Sequence, residues 1–165
     1  MKRLLMTLAA CLFMATPLMA LDAPQGAVIL TIKGPLAHPN SGADAVFDLA
    51  MLEALKGRSA TMETPWTEGK VTFSGPLLRA VLEAAGAPAG ALKVHALNDY
   101  TVVVPADDAG SLDVIIATRL NGKTMSVRDK GPTMLVYPFD LNPKLYTEIY
   151  FSRSVWQIKD IEIVP

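Results

Sequence analysis

The chain has 165 residues, with 15 basic and 16 acidic side chains, two histidines and one cysteine. That length suffices for one domain that buries a core without disulfides, and the balanced charge, with no basic run or stripe, excludes nucleic acid as an expected partner. Past the first twenty residues no apolar run approaches the roughly 20 needed to span a bilayer as a helix.

Residues 1–20 read as a secretory signal. Lys2 and Arg3 precede an apolar stretch from Leu4 to Met14, and Pro17-Leu18-Met19-Ala20 stands ahead of Leu21-Asp22. Cleavage after Ala20 would release residues 21–165 as a single domain into the periplasm. Leu8-Ala9-Ala10-Cys11 also resembles a lipoprotein cleavage box, and a lipid anchor or a retained N-terminal anchor are the alternatives. Against the box, the apolar core ahead of Cys11 is short and the sequence stays apolar to Ala20. Because Cys11 is the only cysteine, an exported domain would have no thiol for a disulfide, a thiolate metal site or a cysteine nucleophile.

In chain order, Val28 to Lys33 is a β-branched run closed by Gly34-Pro35 and reads as a strand. Residues 35–43 form a loop. Phe47, Met51, Leu52 and Leu55 predict a short helix, capped by Asp44 or Asp48 and stopped at Gly57. Strands are expected at Ser59–Glu63 and Lys70–Phe73. The clearest helix follows Ser74-Gly75-Pro76, with Leu77, Leu78, Val81, Leu82 and Ala85 at helical spacing and Gly86 at its end. Ala91–Leu97 and Tyr100–Val104 flank Asn98-Asp99 as a hairpin. Asp107-Asp108-Ala109-Gly110 reads as a solvated turn or helix start. Val114–Arg119 should be a strand, turning at Asn121-Gly122 into a strand at Met125–Val127. Met134–Tyr137 has a buried-strand pattern, 138–143 is a loop, and Leu145 and Ile149 sit in an irregular turn. Val155–Ile158 and Ile161–Val164 close the chain. Many short strands, two short helices and long loops predict an α+β domain.

No motif announces catalysis, and no catalytic or metal-ligating residue is assigned. His38 and His95 lie far apart and make a poor zinc site without thiolates. No serine has the Gly-x-Ser-x-Gly setting of a nucleophile elbow. Three loop clusters combine aromatic and polar groups: Pro65-Trp66-Thr67, Asn98-Asp99-Tyr100, and a third spread over Arg128 to Gly131, Tyr137 and Ser152 to Trp156. A planar heterocycle needs an aromatic or guanidinium face to stack on and in-plane donors and acceptors at its edge. The plainer alternative is that Trp156 and Tyr137 are core and Arg153 a surface charge.

Three segments together resemble the molybdopterin-binding domain of the sulfite oxidase-like oxidoreductases. They are Trp66-Thr67 with Phe73 to Leu78 and Val81 to Gly86; Ala96 to Val102 with Pro105 and Asp108; and Gly131 to Pro138 with Ser154 to Glu162. The resemblance spans roughly residues 26–165 and implies that family's mixed-sheet fold. In its enzymes a cysteine about four residues before the Trp-Ser pair ligates molybdenum; here that place falls near Met62, whose thioether is a weak neutral donor. The basic residues available for a cofactor phosphate are few, namely Arg128, Lys130 and Arg153.

Small, exported, cysteine-less members of this family end in a sequence similar to Arg153-Ser154-Val155-Trp156-Gln157. That resemblance implies a non-enzymatic, reduced, metal-free pterin binder of the periplasm. Its implied partner is the sensory domain of an inner-membrane protein of cyclic di-GMP signalling. It assigns Trp156, Arg153 and Ser154 to the pterin site, with Asn98, Tyr100, Tyr137 and Trp66 beside them. The alternatives are a molybdopterin-dependent oxidoreductase and an interaction module without a ligand.

Overall fold

The computed structural model describes residues 21–164; the expected signal and Cys11 lie outside them. The strands are β1 (Val28–Lys33), β2 (Ala45–Asp48), β3 (Gly57–Met62), β4 (Val71–Pro76), β5 (Ala91–Ala96), β6 (Thr101–Val104), β7 (Ile115–Ala117), β8 (Arg119–Leu120), β9 (Lys123–Thr124), β10 (Met134–Val136) and β11 (Ile158–Val164). The helices are α1 (Leu49–Ala54), α2 (Leu78–Ala84), α3 (Ala106–Ser111) and α4 (Glu148–Arg153), with single 3-10 turns at Val127–Asp129 and Pro143–Leu145.

One sheet has the order β2-β1-β11-β5-β6, a second β3-β4-β8-β9, and β7 pairs with β10 alone. Among the described residues only β1 and β11 run parallel; every other pairing is antiparallel. The core between these sheets holds Leu30, Phe47, Leu52, Phe73, Leu78, Leu92, Ile115, Ile116, Met134 and Leu135, all essentially inaccessible. This is the α+β architecture the short alternating strands predict.

Several expected elements differ in detail. The helix read from Phe47 begins only at Leu49, because Ala45 to Asp48 pair with β1 as a strand first. The strand read at Val114–Arg119 breaks into β7 and β8, and each half joins a different sheet. The strand expected at Met125–Val127 is absent among the described residues; that stretch leads into a 3-10 turn. Four short helices form among the described residues where two were expected; α3 and α4, six residues each, are too short to stand on propensity and are held by tertiary contacts.

Asp48 ends β2 and caps α1. Its carboxylate accepts the backbone N–H of Met51 at 2.9 Å, of Gln25 at 2.8 Å and of Gly26 at 2.7 Å. Those bonds, led by Met51, hold its pKa below the ordinary 3.8. A folded-state pKa below the unfolded one means that Asp48 stabilises the fold above the ordinary value and loses that contribution as pH falls through the depressed one. Asp48→Asn should therefore lower the thermal midpoint at neutral pH and show a shallower acid decline than the parent, measured by a pH series of melting curves. Parallel acid limbs for the two proteins would show that Asp48 carries no such linkage.

Candidate cleft for a planar ligand

The hairpin between β5 and β6 turns at Asn98-Asp99. Asp99 adopts a left-handed conformation, φ 65°, and the Asn98 Oδ1 accepts the Tyr100 N–H at 3.2 Å. The side-chain amide nitrogen of Asn98 has no partner among the described residues. Across from this tip, α4 ends at Arg153 and the chain runs through Val155 and Trp156, where it bridges β10 at Met134. Leu135 N–H donates to the Val155 carbonyl at 2.7 Å. The two walls are tied directly, because the Tyr100 hydroxyl donates to the Ser152 carbonyl at 2.9 Å.

Between them lies a cleft of about 240 Å³ bounded by Ala96, Asn98, Tyr100, Phe151, Ser152, Ser154, Val155 and Trp156. Among the described residues no charged side chain lines it. Its volume sits just under the roughly 300–1,000 Å³ of pockets for drug-sized ligands, which suits a single bicyclic ring. Trp156 is 36 % exposed, so its indole is available as a stacking surface. Asn98 supplies the free edge donor; the Ser152 and Ser154 hydroxyls already donate to the Ile149 and Tyr150 carbonyls at 2.8 and 2.9 Å, which leaves their oxygens as acceptors.

Trp66 stands behind Trp156, with ring centroids 6.1 Å apart and planes tilted by 55°. It also packs edge-on against Phe151 and Phe139. Its loop is pinned by a 2.8 Å hydrogen bond between the Thr64 and Thr67 hydroxyls. The Trp66 Nε1–H is buried without a hydrogen-bond partner among the described residues. Trp66 lines a second cleft, of about 280 Å³, together with Met125, Met134, Arg128 and Lys130. The backbone of the Val127–Lys130 turn is fastened beside Trp156, since the Gln157 N–H donates to the Lys130 carbonyl at 3.1 Å and its side chain to the Val127 carbonyl at 2.6 Å.

Of the residues assigned from sequence, Asn98, Tyr100, Ser154 and Trp156 come together in the first cleft and Trp66 forms its backing. Tyr137 and Arg153 stand outside it. Tyr137 is wholly buried, and its hydroxyl donates to Asp108 Oδ2 at 2.7 Å. Burial, and then the neighbouring Asp108 carboxylate, push its pKa far up, so it stays a neutral donor. Arg153 Nη1 donates to the same oxygen at 2.9 Å, and the guanidinium lies 5.5 Å over the Tyr150 ring. Asp108, expected at a solvated helix start, is 8 % exposed. Ser152, part of the third loop cluster, and Phe151, which no sequence feature marks, complete the wall. The only sequence signal for Phe151 is its adjacency to the Ser152–Trp156 stretch.

His38 and His95 lie apart from this cleft. His38 Nδ1 is 3.2 Å from the Ala84 carbonyl. His95 lies on β5 beside Thr101, Asp160 and Glu162. Among the described residues no three His, Cys, Asp or Glu side chains stand together as a metal site. Met62 ends β3, is 4 % exposed, and pairs across the sheet with Val71, which lines the second cleft.

The family model described as "Oxidoreductase molybdopterin binding domain" matches residues 50–164. Among curated proteins no sequence matches. Among solved structures, the sulfane dehydrogenase SoxCD from Paracoccus pantotrophus is similar at 20 % identity and a TM-score of 0.59, over 82 % of this chain. The match covers 38 % of that chain, so the present chain spans well under half of it, and at this identity the likeness speaks for the fold. The segments that carry the resemblance, the mixed-sheet fold and the matching family model agree, and the chain belongs to the oxidoreductase molybdopterin-binding domain family of sulfite oxidase-like fold.

Proposed function

We propose that this member of the family binds a metal-free, reduced pterin in the cleft between the β5–β6 hairpin and α4, and that it carries out no redox reaction of its own. The observation that supports the reading is the uncharged cleft walled by Trp156; beside it stands the family resemblance, which puts a metal-ligating thiolate near Met62, here a buried thioether. The family binds molybdopterin, but the metal end of that cofactor does not fit the donors here. Residues 21–164 contain no cysteine, Met62 is a buried neutral thioether, and Arg153 is committed to Asp108. Of the three cations the sequence offers for a phosphate, that leaves Arg128 and Lys130, which line the second cleft. The pterin ring system itself asks for none of these groups.

In this reading the ring stacks on Trp156, with Trp66 stiffening the indole from behind. The Asn98 amide donates to the ring's acceptors, the Ser152 hydroxyl oxygen accepts from its donors, and the absence of charge in the walls favours a neutral ligand. Export to the periplasm would follow from the signal-like residues 1–20. Leu97, Tyr100 and Trp156 are exposed apolar groups at or next to the cleft. A periplasmic sensory domain of an inner-membrane cyclic di-GMP signalling protein could there read whether the cleft is filled.

Native mass spectrometry of the protein purified from its own host should find the mass of a pterin without metal, and added tetrahydropterin should quench tryptophan fluorescence saturably. Molybdenum near one per chain would overturn the reading in favour of a molybdopterin oxidoreductase. A folded protein that gives neither a bound mass nor quenching would leave a ligand-free interaction module.

A further inference from the structure

Arg153 sits in the stretch from Phe151 to Trp156, in which its neighbours Phe151, Ser152, Ser154, Val155 and Trp156 all line the cleft and it does not. Its guanidinium turns the other way, onto Asp108 at 2.9 Å and over Tyr150. The same Asp108 oxygen accepts the Tyr137 hydroxyl at 2.7 Å, and the Tyr137 and Tyr150 rings pack at a tilt of 56° with centroids 5.1 Å apart. Withdrawing Arg153 to meet a ligand would strip a nearly buried carboxylate of its charge partner, which is strongly unfavourable. Asp108 belongs to α3, which follows β6 directly after Pro105. One carboxylate therefore locates three parts: the end of α4, the strand β10 through Tyr137, and the helix that continues the β5–β6 hairpin.

We infer that Arg153 is a positioning residue of the pterin cleft: paired with Asp108, it sets the wall formed by Ser152 to Trp156 and makes no contact with the ligand. This rests on the pterin reading for its ligand and on the ion pair for its geometry. The arrangement explains how a cation can lie within the most ligand-like stretch of the sequence while the cleft itself stays uncharged. It also distinguishes the two ties that hold α4. Tyr100 to Ser152 acts across the cleft, and Arg153 to Asp108 acts from behind.

A double-mutant cycle with unsubstituted pterin as the probe separates positioning from contact. Arg153→Ala should weaken binding about five-fold or more, and Arg153→Lys, which keeps the charge on Asp108, should restore most of it. In an Asp108→Asn background, Arg153→Ala should cause no further loss. An equal loss in both backgrounds would make Arg153 a ligand contact and overturn the inference. Tyr137→Phe, which removes one hydroxyl from the same carboxylate and leaves the core filled, should weaken binding in the same direction and guards against variants that fail to fold. Hydrogen exchange on the ligand-free protein gives an independent reading: amides from Ser152 to Gln157 should exchange about ten-fold faster in Arg153→Ala than in the parent. If the parent binds no pterin but exchange still quickens, the pterin reading falls and the positioning role stands. Unchanged exchange at these amides sinks the positioning role whatever the ligand.

Discussion

Trp156→Ala should weaken pterin binding by about ten-fold, which is roughly 1.4 kcal/mol, while the thermal midpoint stays close to the parent's. Both parts follow from where the indole sits. Its face forms the broad apolar wall of the cleft, and stacking plus the area a ring covers there are lost together when it is cut back. Its contribution to the fold is small by comparison, because the side chain is 36 % exposed and the backbone bridge from Trp156 to Met134 needs no indole. Trp156→Phe should keep most of the affinity, since a phenyl face still stacks. Pterin titrations followed by ligand fluorescence, run beside melting curves, check both halves. A Trp156→Ala protein that binds as tightly as the parent would take Trp156 out of the site.

The parts of this fold that were legible in the sequence are those whose causes are local. Val28–Lys33 is a β-branched run ended by Gly-Pro, and β1 occupies the same six residues. The hairpin turns at Asn98-Asp99 and Asn121-Gly122 are chosen by residues that tolerate positive φ, and Asp99, Asn121 and Gly122 adopt it. Asp48 was one of two expected caps, and it is the residue that accepts the Met51 N–H. β2 was hidden because Phe47 serves both the alternation of a four-residue strand and the helical spacing with Met51 and Leu52. α4 was hidden because its packing surface is aromatic and its support comes from elsewhere, from the bond between Tyr100 and Ser152 and from Arg153 on Asp108.

The cleft follows the same division. The polar tip at Asn98 to Tyr100 and the Ser154–Trp156 stretch were visible as aromatic and polar residues grouped where strands end. That they face one another is a property of the tertiary fold. The roles of Arg153 and Tyr137 were not legible, because a buried carboxylate can be recognised only with its partners in view. Asp108 reads in isolation as an ordinary acidic residue at a helix start. Only its closeness to two donors from distant parts of the chain makes it a structural centre.

Gly75→Ala should destabilise the protein by about 3 kcal/mol or more, lowering the thermal midpoint by roughly 10 °C for a domain of this size. Gly75 lies in β4 where the four-stranded sheet closes onto β7. A Cβ there would stand 2.1 Å from the Ile116 carbonyl oxygen and 3.0 Å from the Ala117 Cα. Both are backbone atoms, so no side-chain rotation relieves the clash and the two strands must separate. That movement has a path to the ligand. Ile116 pairs with Leu135, and the Leu135 N–H holds the Val155 carbonyl next to Trp156. Phe73 on β4 and Met134 on β10 also share the second cleft in front of Trp66. Gly75→Ala should therefore show a smaller rise in midpoint on adding saturating pterin than the parent does, as well as a lower midpoint without it, because ligand stabilisation scales with affinity for the folded cleft. Melting curves with and without pterin measure both. A variant with the parent's midpoint would show that β4 and β7 can part at no cost. A lowered midpoint with the full ligand-induced rise would show that the strain stops before Val155.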